Sequence, residues 1–83
     1  MSESFYEFDV RLVTPKDVTD FNTYAGSLPC DIDASRGTYR VDGRSLMGLY
    51  SLNLSENITI TLKSKGDENL EECAAKFNKW RVT

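Results

Sequence analysis

The sequence predicts an α+β fold, a two-layer open sandwich in which helices cover one face of an antiparallel sheet. Four short segments alternate apolar and polar residues, which is the period of a strand with one buried face. Between and after them, apolar residues recur every three to four positions, which is typical of amphipathic helices. The 83 residues are enough for one core and too few for two. We therefore expect a single domain over residues 1–83.

The first strand is predicted from Tyr6 to Leu12, where every second residue is apolar. The first helix is predicted from Pro15 to about Ser27. Its start has a hydroxyl cap at Thr14, proline at the first helical position and an acid, Asp17, in the first turn. Its apolar stripe consists of Val18, Phe21, Tyr24, Ala25 and Leu28.

A β-hairpin is predicted from Cys30 to Val41, with Gly37 supplying the positive backbone angle that such a turn needs. A short helix from Ser45 to about Leu52 follows. The hydroxyl of Ser45 can cap this helix by accepting from a free N–H group of its first turn. On the same helix Leu46, Leu49 and Tyr50 are expected to share one side.

The clearest strand is Ile58–Lys63, because it is rich in β-branched residues and alternates cleanly, and we expect it to lie centrally in the sheet. A polar loop from Asn53 to Asn57 precedes it, and a turn at Lys65–Glu68 follows. The last helix is amphipathic, with an apolar side made of Leu70, Cys73, Ala74, Phe77 and Trp80.

Composition and charge exclude several classes of function. The net charge of -3 and the pI near 4.8 argue against nucleic acid as a partner. The start, Met1 to Ser4, does not resemble a targeting signal, and no stretch approaches the roughly 20 apolar residues of a membrane span. We expect a cytoplasmic protein that binds neither membrane nor nucleic acid, and no small-molecule substrate is evident.

The residue types that could carry chemistry argue against a metal site, a cofactor and an enzyme. Cys30 and Cys73 lack metal-ligand spacing and the chain has no histidine, so we expect two partly buried thiols, no metal and no cofactor. Asp31 and Asp33 share a strand face and are expected to be solvated. Without a glycine-rich phosphate loop or a nucleophile beside a base, an enzyme is not expected.

Several segments of the sequence also resemble a known protein family. The segment Arg44–Leu52, the later Ile60–Leu62 and Gly66–Glu68, and the order of elements resemble the HPr family, the small phosphocarriers of the bacterial sugar phosphotransferase system. The family's pattern around the short helix is Lys-Ser-Ile/Leu-Met-Gly-Val-Met-Ser-Leu. The resemblance implies the order β-α-β-β-α-β-α, with an antiparallel sheet of strand order 1-4-2-3 and the helices on one face.

The chain departs from this family at the residue that carries its chemistry. HPr proteins have Gly-Leu/Ile-His-Ala-Arg-Pro-Ala at the first helix start, and a count without gaps back from Ser45 places this motif on Leu12–Val18. Thr14 then stands at the histidine position and Lys16 at the arginine position. Threonine would form a stable phosphate ester, and lysine cannot grip phosphate with two parallel hydrogen bonds. We therefore expect no catalytic residue and no phosphohistidine.

The position of the family's regulatory serine is kept, as Ser45. In relatives a kinase phosphorylates this serine and the product binds a regulator, and the Crh type lacks the histidine and keeps only this role. The resemblance thus implies protein partners from the phosphotransferase system or carbon regulation, a serine kinase among them. Two hypotheses stay open: a phosphoserine-switched regulator, or a constitutive interaction module in which Ser45 is only a helix cap. The expected interface is Val13, Lys16, Met47 and Tyr50.

Overall fold

The computed structural model describes residues 4–52, 54–64, 66 and 68–82. Within these ranges the elements are β1 (Phe5–Val10), α1 (Pro15–Gly26), β2 (Asp31–Arg36), β3 (Tyr39–Asp42), α2 (Leu46–Tyr50), β4 (Ile58–Lys63) and α3 (Leu70–Ala75). The chain start from Met1 to Glu3, Asn53 in the predicted loop, and Lys65 and Asp67 in the predicted turn lie outside the described residues. The predicted order of elements is confirmed.

The four strands form one antiparallel sheet in the order β1-β4-β2-β3, as the resemblance implied. Strand β4 is central because it pairs with β1 on one side and with β2 on the other. On one face of the sheet, Phe8, Ile60 and Ala34 lie side by side in register and are buried beneath the helices. The opposite face carries polar residues such as Glu7 and Asp33.

Aromatic side chains join α1 to the residues after α3. The ring centroids of Phe21 and Phe77 are 4.8 Å apart, and Trp80 packs edge-on against Phe21 at 5.8 Å. Phe21, Phe77 and Trp80 are at most 4% exposed. Tyr24, which was predicted in the apolar stripe, is 39% exposed, although its ring packs at a tilt against Trp80 with the centroids 5.4 Å apart.

The last helix is shorter than its apolar spacing predicts. Helix α3 ends at Ala75, and tighter turns continue the chain, with bonds from Phe77 N–H to Ala74 O and from Trp80 N–H to Phe77 O. These three-residue turns keep Phe77 and Trp80 buried. The pattern of buried residues was therefore predicted, whereas the end of the regular helix was not.

The segment after Trp80 returns to the outer edge of β1. Val10 and Arg81 form an antiparallel bridge, Arg11 N–H donates to Trp80 O, and Val82 N–H donates to Asp9 O. The guanidinium of Arg81 lies over the ring of Phe8 at 4.8 Å. The first strand also ends earlier than predicted, at Val10, and Leu12 is buried in the loop that follows.

Arg44 connects three elements through hydrogen bonds. Its guanidinium donates to the carbonyl oxygens of Ala25 (3.2 Å) and Leu28 (2.9 Å) near the end of α1, and to that of Cys30 before β2. The backbone of Arg44 is held as well, because its N–H donates to Asp42 Oδ1 at 2.8 Å and Asn22 Nδ2 donates to its carbonyl at 2.8 Å. Arg44, two residues before α2, is thus attached to α1 and to the segment that leads into β2.

We predict that Arg44→Lys destabilises the fold, because lysine cannot supply several planar donors to three separate carbonyls. Leaving part-buried carbonyls without a charged donor should cost about 1–3 kcal/mol in the free energy of unfolding, measured by urea denaturation. Arg40→Lys is the control, since Arg40 pairs with Asp33 at the surface with 55% of its side chain exposed and should lose less than about 1 kcal/mol. Equal losses for the two variants would contradict the role assigned to Arg44.

Candidate functional site

Ser45 caps α2, as predicted. Its Oγ accepts a hydrogen bond from Gly48 N–H at 3.0 Å, and its carbonyl accepts from Leu49 N–H at 2.9 Å. A side chain at Gly48 would be crowded, because a Cβ there would lie 3.1 Å from both Ser45 Oγ and Val41 Cβ and these neighbours would have to shift slightly. Ser45 itself is partly exposed. The hydroxyl therefore stabilises the start of a helix at a residue that is partly accessible to solvent.

The side chains of α2 are more exposed than their spacing predicts. Leu49 is fully buried, but Leu46 and Tyr50, which were expected to share its side, are 38% and 45% exposed. Met47 is 80% exposed. The helix has only five residues, and among its apolar side chains only Leu49 lies in the buried core. Ser45 is consequently followed by exposed apolar side chains.

The start of α1 forms a closed set of hydrogen bonds around Asp17. Thr14 Oγ1 accepts from Asp17 N–H at 3.1 Å, and Asp17 Oδ2 accepts from the N–H groups of Thr14 (3.2 Å) and Val13 (3.0 Å). This reciprocal arrangement is a capping box. The second carboxylate oxygen, Oδ1, accepts from the indole N–H of Trp80 at 3.3 Å. The predicted capping role of Thr14 is therefore confirmed.

These donors change the acidity of Asp17. The Trp80 indole N–H, followed by the backbone N–H groups of Thr14 and Val13, lowers the pKa of Asp17 below its ordinary value of 3.8. Hydrogen bonds to a carboxylate favour its ionised form. Asp17 is consequently a fixed negative charge at the start of α1.

The ammonium of Lys16 pairs with a residue outside the hydrogen bonds around Asp17. Its ammonium pairs with Asp20 at 2.8 Å on the exposed side of α1, with 81% of its side chain accessible. The hydrogen bond to Asp20 and the charge of that carboxylate raise the pKa of Lys16 above 10.5. The ammonium therefore stays charged, but it is shared with a neighbouring acid.

A shallow cleft of about 330 Å³ joins the start of α1 to the end of α2. The residues that line it are Leu12, Val13, Thr14, Pro15, Val18, Tyr50, Leu54 and Ser55. The structure thus brings Val13 and Tyr50 of the expected interface to one depression, and Val13 is 76% exposed. Lys16 and Met47 are not part of its lining.

Sequence reasoning identified Thr14 and Asp17 as helix-start residues but missed the contribution of Trp80. The spacing of Thr14 and Asp17 is the signal of a capping box and could have been used more fully. No local pattern points from Trp80 to Asp17, because the two residues are 63 positions apart.

The two cysteines are more buried than expected. Cys30 is fully buried and Cys73 is 6% exposed, whereas partly buried thiols were expected. Burial, followed by the charge and hydrogen bonding of the Cys73 thiol, raises the pKa of Cys30 to about 11. Both cysteines are free. Because a thiol is nucleophilic only as the thiolate, Cys30 is protected from reaction at neutral pH.

The described residues contain neither a cluster suited to a metal ion nor a helix suited to a membrane. Within residues 4–52, 54–64, 66 and 68–82, no group of three or more histidine, cysteine, aspartate or glutamate side chains is arranged to hold a metal ion. In the same part of the chain, no helix is both long and apolar enough to cross a membrane.

Comparison with known proteins identifies the family. The sequence model described as "PTS-HPr: PTS HPr component phosphorylation site" matches residues 17–79, more than half of the chain. The chain belongs to the HPr family. HPr proteins are phosphocarriers that interact with other proteins of the phosphotransferase system, and they are not enzymes themselves, as was expected of this chain.

A solved structure supports the fold. The crystal structure of HPr-C-His from Thermoanaerobacter tengcongensis superimposes with a TM-score of 0.63 and 23% sequence identity, covering 95% of this chain and 89% of that chain. No curated protein sequence gives a significant match. The family match begins at Asp17, three positions after Thr14. The match therefore does not include Thr14 or Lys16.

We predict that Asp17→Asn reduces stability at pH 7 and weakens its dependence on acid. The pKa of Asp17 is lower in the folded than in the unfolded chain, so its ionised form stabilises the fold above the ordinary value of 3.8. This stabilisation is lost as the pH falls through the folded value. Urea midpoints should thus fall more steeply below pH 4 in the wild type than in the variant.

Fluorescence provides a second readout of the same prediction. Trp80 is the single tryptophan and bonds directly to Asp17. Its emission in the folded protein should titrate with Asp17 below pH 3.8. A wild-type titration identical to that of Asp17→Asn would contradict the assignment.

Proposed function

We propose that this chain is a regulatory, protein-binding member of the HPr family that carries no phosphohistidine, with Ser45 as its phosphorylation switch. The role resembles that of the Crh type. The observation that carries the proposal is the surface at the start of α2, where the partly exposed residue Ser45 precedes exposed Leu46 and Met47.

The loss of the phosphocarrier role is supported by the residues at the start of α1. The 83 residues contain no histidine, and Thr14, which the count without gaps from Ser45 places at the family's histidine position, is used as a helix cap. Imidazole titrates near neutral pH and yields a phosphoryl group that can be passed on, whereas a phosphothreonine is a stable ester. Lys16 is paired with Asp20 and offers no planar grip on phosphate.

A phosphate on Ser45 would act mainly on the surface. It would add about -1.5 to -2 charges and three acceptor oxygens beside the N–H of Gly48. The nearest arginine in sequence, Arg44, already directs its guanidinium to the carbonyls of Ala25, Leu28 and Cys30. The new charge is therefore available to a partner, next to the apolar side chain of Met47.

A second candidate is a constitutive interaction module. It is favoured by the cleft between Val13 and Tyr50, which needs no modification to accept an apolar side chain. It is also favoured by the capping bond of Ser45, because a serine cap is common at a helix start. The proposed interface contains Val13, Lys16, Met47 and Tyr50. We propose partners from the phosphotransferase system or carbon regulation, in the cytoplasm.

We predict that the general phosphotransferase enzyme, supplied with phosphoenolpyruvate, leaves no acid-labile phosphate on this chain. A histidine-containing HPr serves as the positive control in the same reaction. Phosphate that is lost in acid and can be transferred onward from this chain would refute the proposed loss of the carrier role.

We predict that the family's serine kinase and ATP add one phosphate, located on Ser45 by mass spectrometry. Ser45→Ala should abolish the modification. Ser51→Ala should leave it intact, since Ser51 is an exposed serine at the other end of α2 whose Oγ donates to Gly48 O at 2.6 Å. Modification elsewhere, or none, would count against Ser45 as the switch.

Binding measurements separate the two candidate functions. Phosphorylated and unmodified protein are titrated against a purified carbon-regulation protein, and Ser45→Ala is included. A phosphate-dependent increase in affinity supports the switch. Equal affinity of all three forms, combined with a loss in Val13→Ser or Met47→Ser, supports the constitutive module.

A further inference from the structure

We infer that Asp17 determines anion specificity at the start of α1: its carboxylate, bonded by Trp80, excludes external phosphate from the site where the family carries its phosphoryl group. The inference rests on the proposed loss of the carrier role and adds a second cause, separate from the missing imidazole. Replacing Thr14 by histidine alone would then not restore an efficient phosphoryl acceptor.

Several N–H donors at the start of α1 are already bonded to side chains of the same chain. The first turn of a helix presents free N–H groups and a partial positive charge that attract anions. Here Pro15 has no N–H, Thr14 Oγ1 takes the N–H of Asp17, and the Asp17 carboxylate takes those of Thr14 and Val13. The carboxylate of Asp17 thus bonds the two N–H groups just before the helix, and the Thr14 hydroxyl bonds one N–H of its first turn.

Electrostatic repulsion by Asp17 also disfavours the binding of phosphate at this helix start. A phosphate approaching Thr14 would meet a fixed carboxylate within a few ångströms, and like charges at such a distance repel strongly near a protein surface. Lys16 does not offset this repulsion fully, because its ammonium lies 2.8 Å from Asp20. The neighbourhood of Thr14 is therefore unfavourable to a second anion.

Trp80 restricts the movement of the carboxylate. The indole N–H donates to Asp17 Oδ1 at 3.3 Å, and the Trp80 ring is buried against Phe21. The backbone of Trp80 is held at the edge of β1, where its carbonyl accepts from Arg11 N–H. Asp17 cannot rotate away from the helix start without losing bonds on both carboxylate oxygens.

The test compares phosphoryl acceptance by two variants, Thr14→His and Thr14→His with Asp17→Asn. The donor is phosphoramidate, a small molecule that needs no protein docking. A nitrogen of the introduced imidazole forms a bond to phosphorus, the phosphorus–nitrogen bond of phosphoramidate breaks, and the leaving nitrogen keeps the electron pair and departs as ammonia after protonation. The imidazole pKa is measured in each variant, so that rates are compared for the neutral ring.

We expect Asp17→Asn to increase the rate of phosphorylation about tenfold in the Thr14→His background, as removal of a like charge at close range predicts. Thr14→His with Glu72→Gln is the control, because it removes one exposed carboxylate from α3 and should change the rate less than about twofold. Equal rates with and without Asp17, or an equal increase in the Glu72→Gln control, would overturn the inference.

A second measurement retains Thr14 and so does not depend on how well the histidine variants fold. Inorganic phosphate is titrated into the wild type and into Asp17→Asn while the amide signals of Val13 and Thr14 are followed by NMR. Saturable shifts in the variant alone support exclusion by Asp17. Identical responses of the two proteins would overturn it, and neither result depends on whether Ser45 is phosphorylated.

Discussion

The hydrogen bonds of Arg44 determine where the candidate site lies. Helix α2 has five residues, too few to be stable without help from the rest of the fold. Its start is fixed from outside, because the guanidinium of Arg44 binds carbonyls near the end of α1 and before β2 while Asn22 holds the Arg44 carbonyl. The position of Ser45 beside the sheet therefore depends on an arginine that is itself unavailable to a phosphate.

The starts of α1 and α2 differ in what they leave accessible. At α1, a carboxylate of the chain occupies the N–H groups, and the buried Trp80 holds this carboxylate in place. At α2, a neutral hydroxyl accepts a bond from Gly48 N–H, and exposed apolar side chains follow it. This contrast underlies the proposed shift from phosphoryl transfer to partner recognition in a chain that belongs to the HPr family.

Local patterns predicted most of the fold and part of the site. Alternation located the strands, Thr14 and Ser45 were identified as caps from residue type, and the family resemblance supplied the strand order. The sequence could not reveal that α3 ends at Ala75, because three-residue turns bury Phe77 and Trp80 as well as a helix would. Nor could it reveal the bond between Trp80 and Asp17, since a contact across 63 positions depends on the packing of the whole core.

The segment around Arg81, which is bonded to the edge of β1, also reduces the tendency of this edge to pair with another molecule. A sheet edge with unpaired backbone groups can pair with a strand of another molecule and begin aggregation. Along β1 the backbone of Asp9 and Arg11 is already bonded to the segment that contains Arg81. The other outer strand, β3, spans only Tyr39–Asp42 and includes the charged Arg40, and both features discourage such pairing. The end of β1 near Val10 and the short strand β3 are therefore poor templates for pairing with a strand of a second molecule.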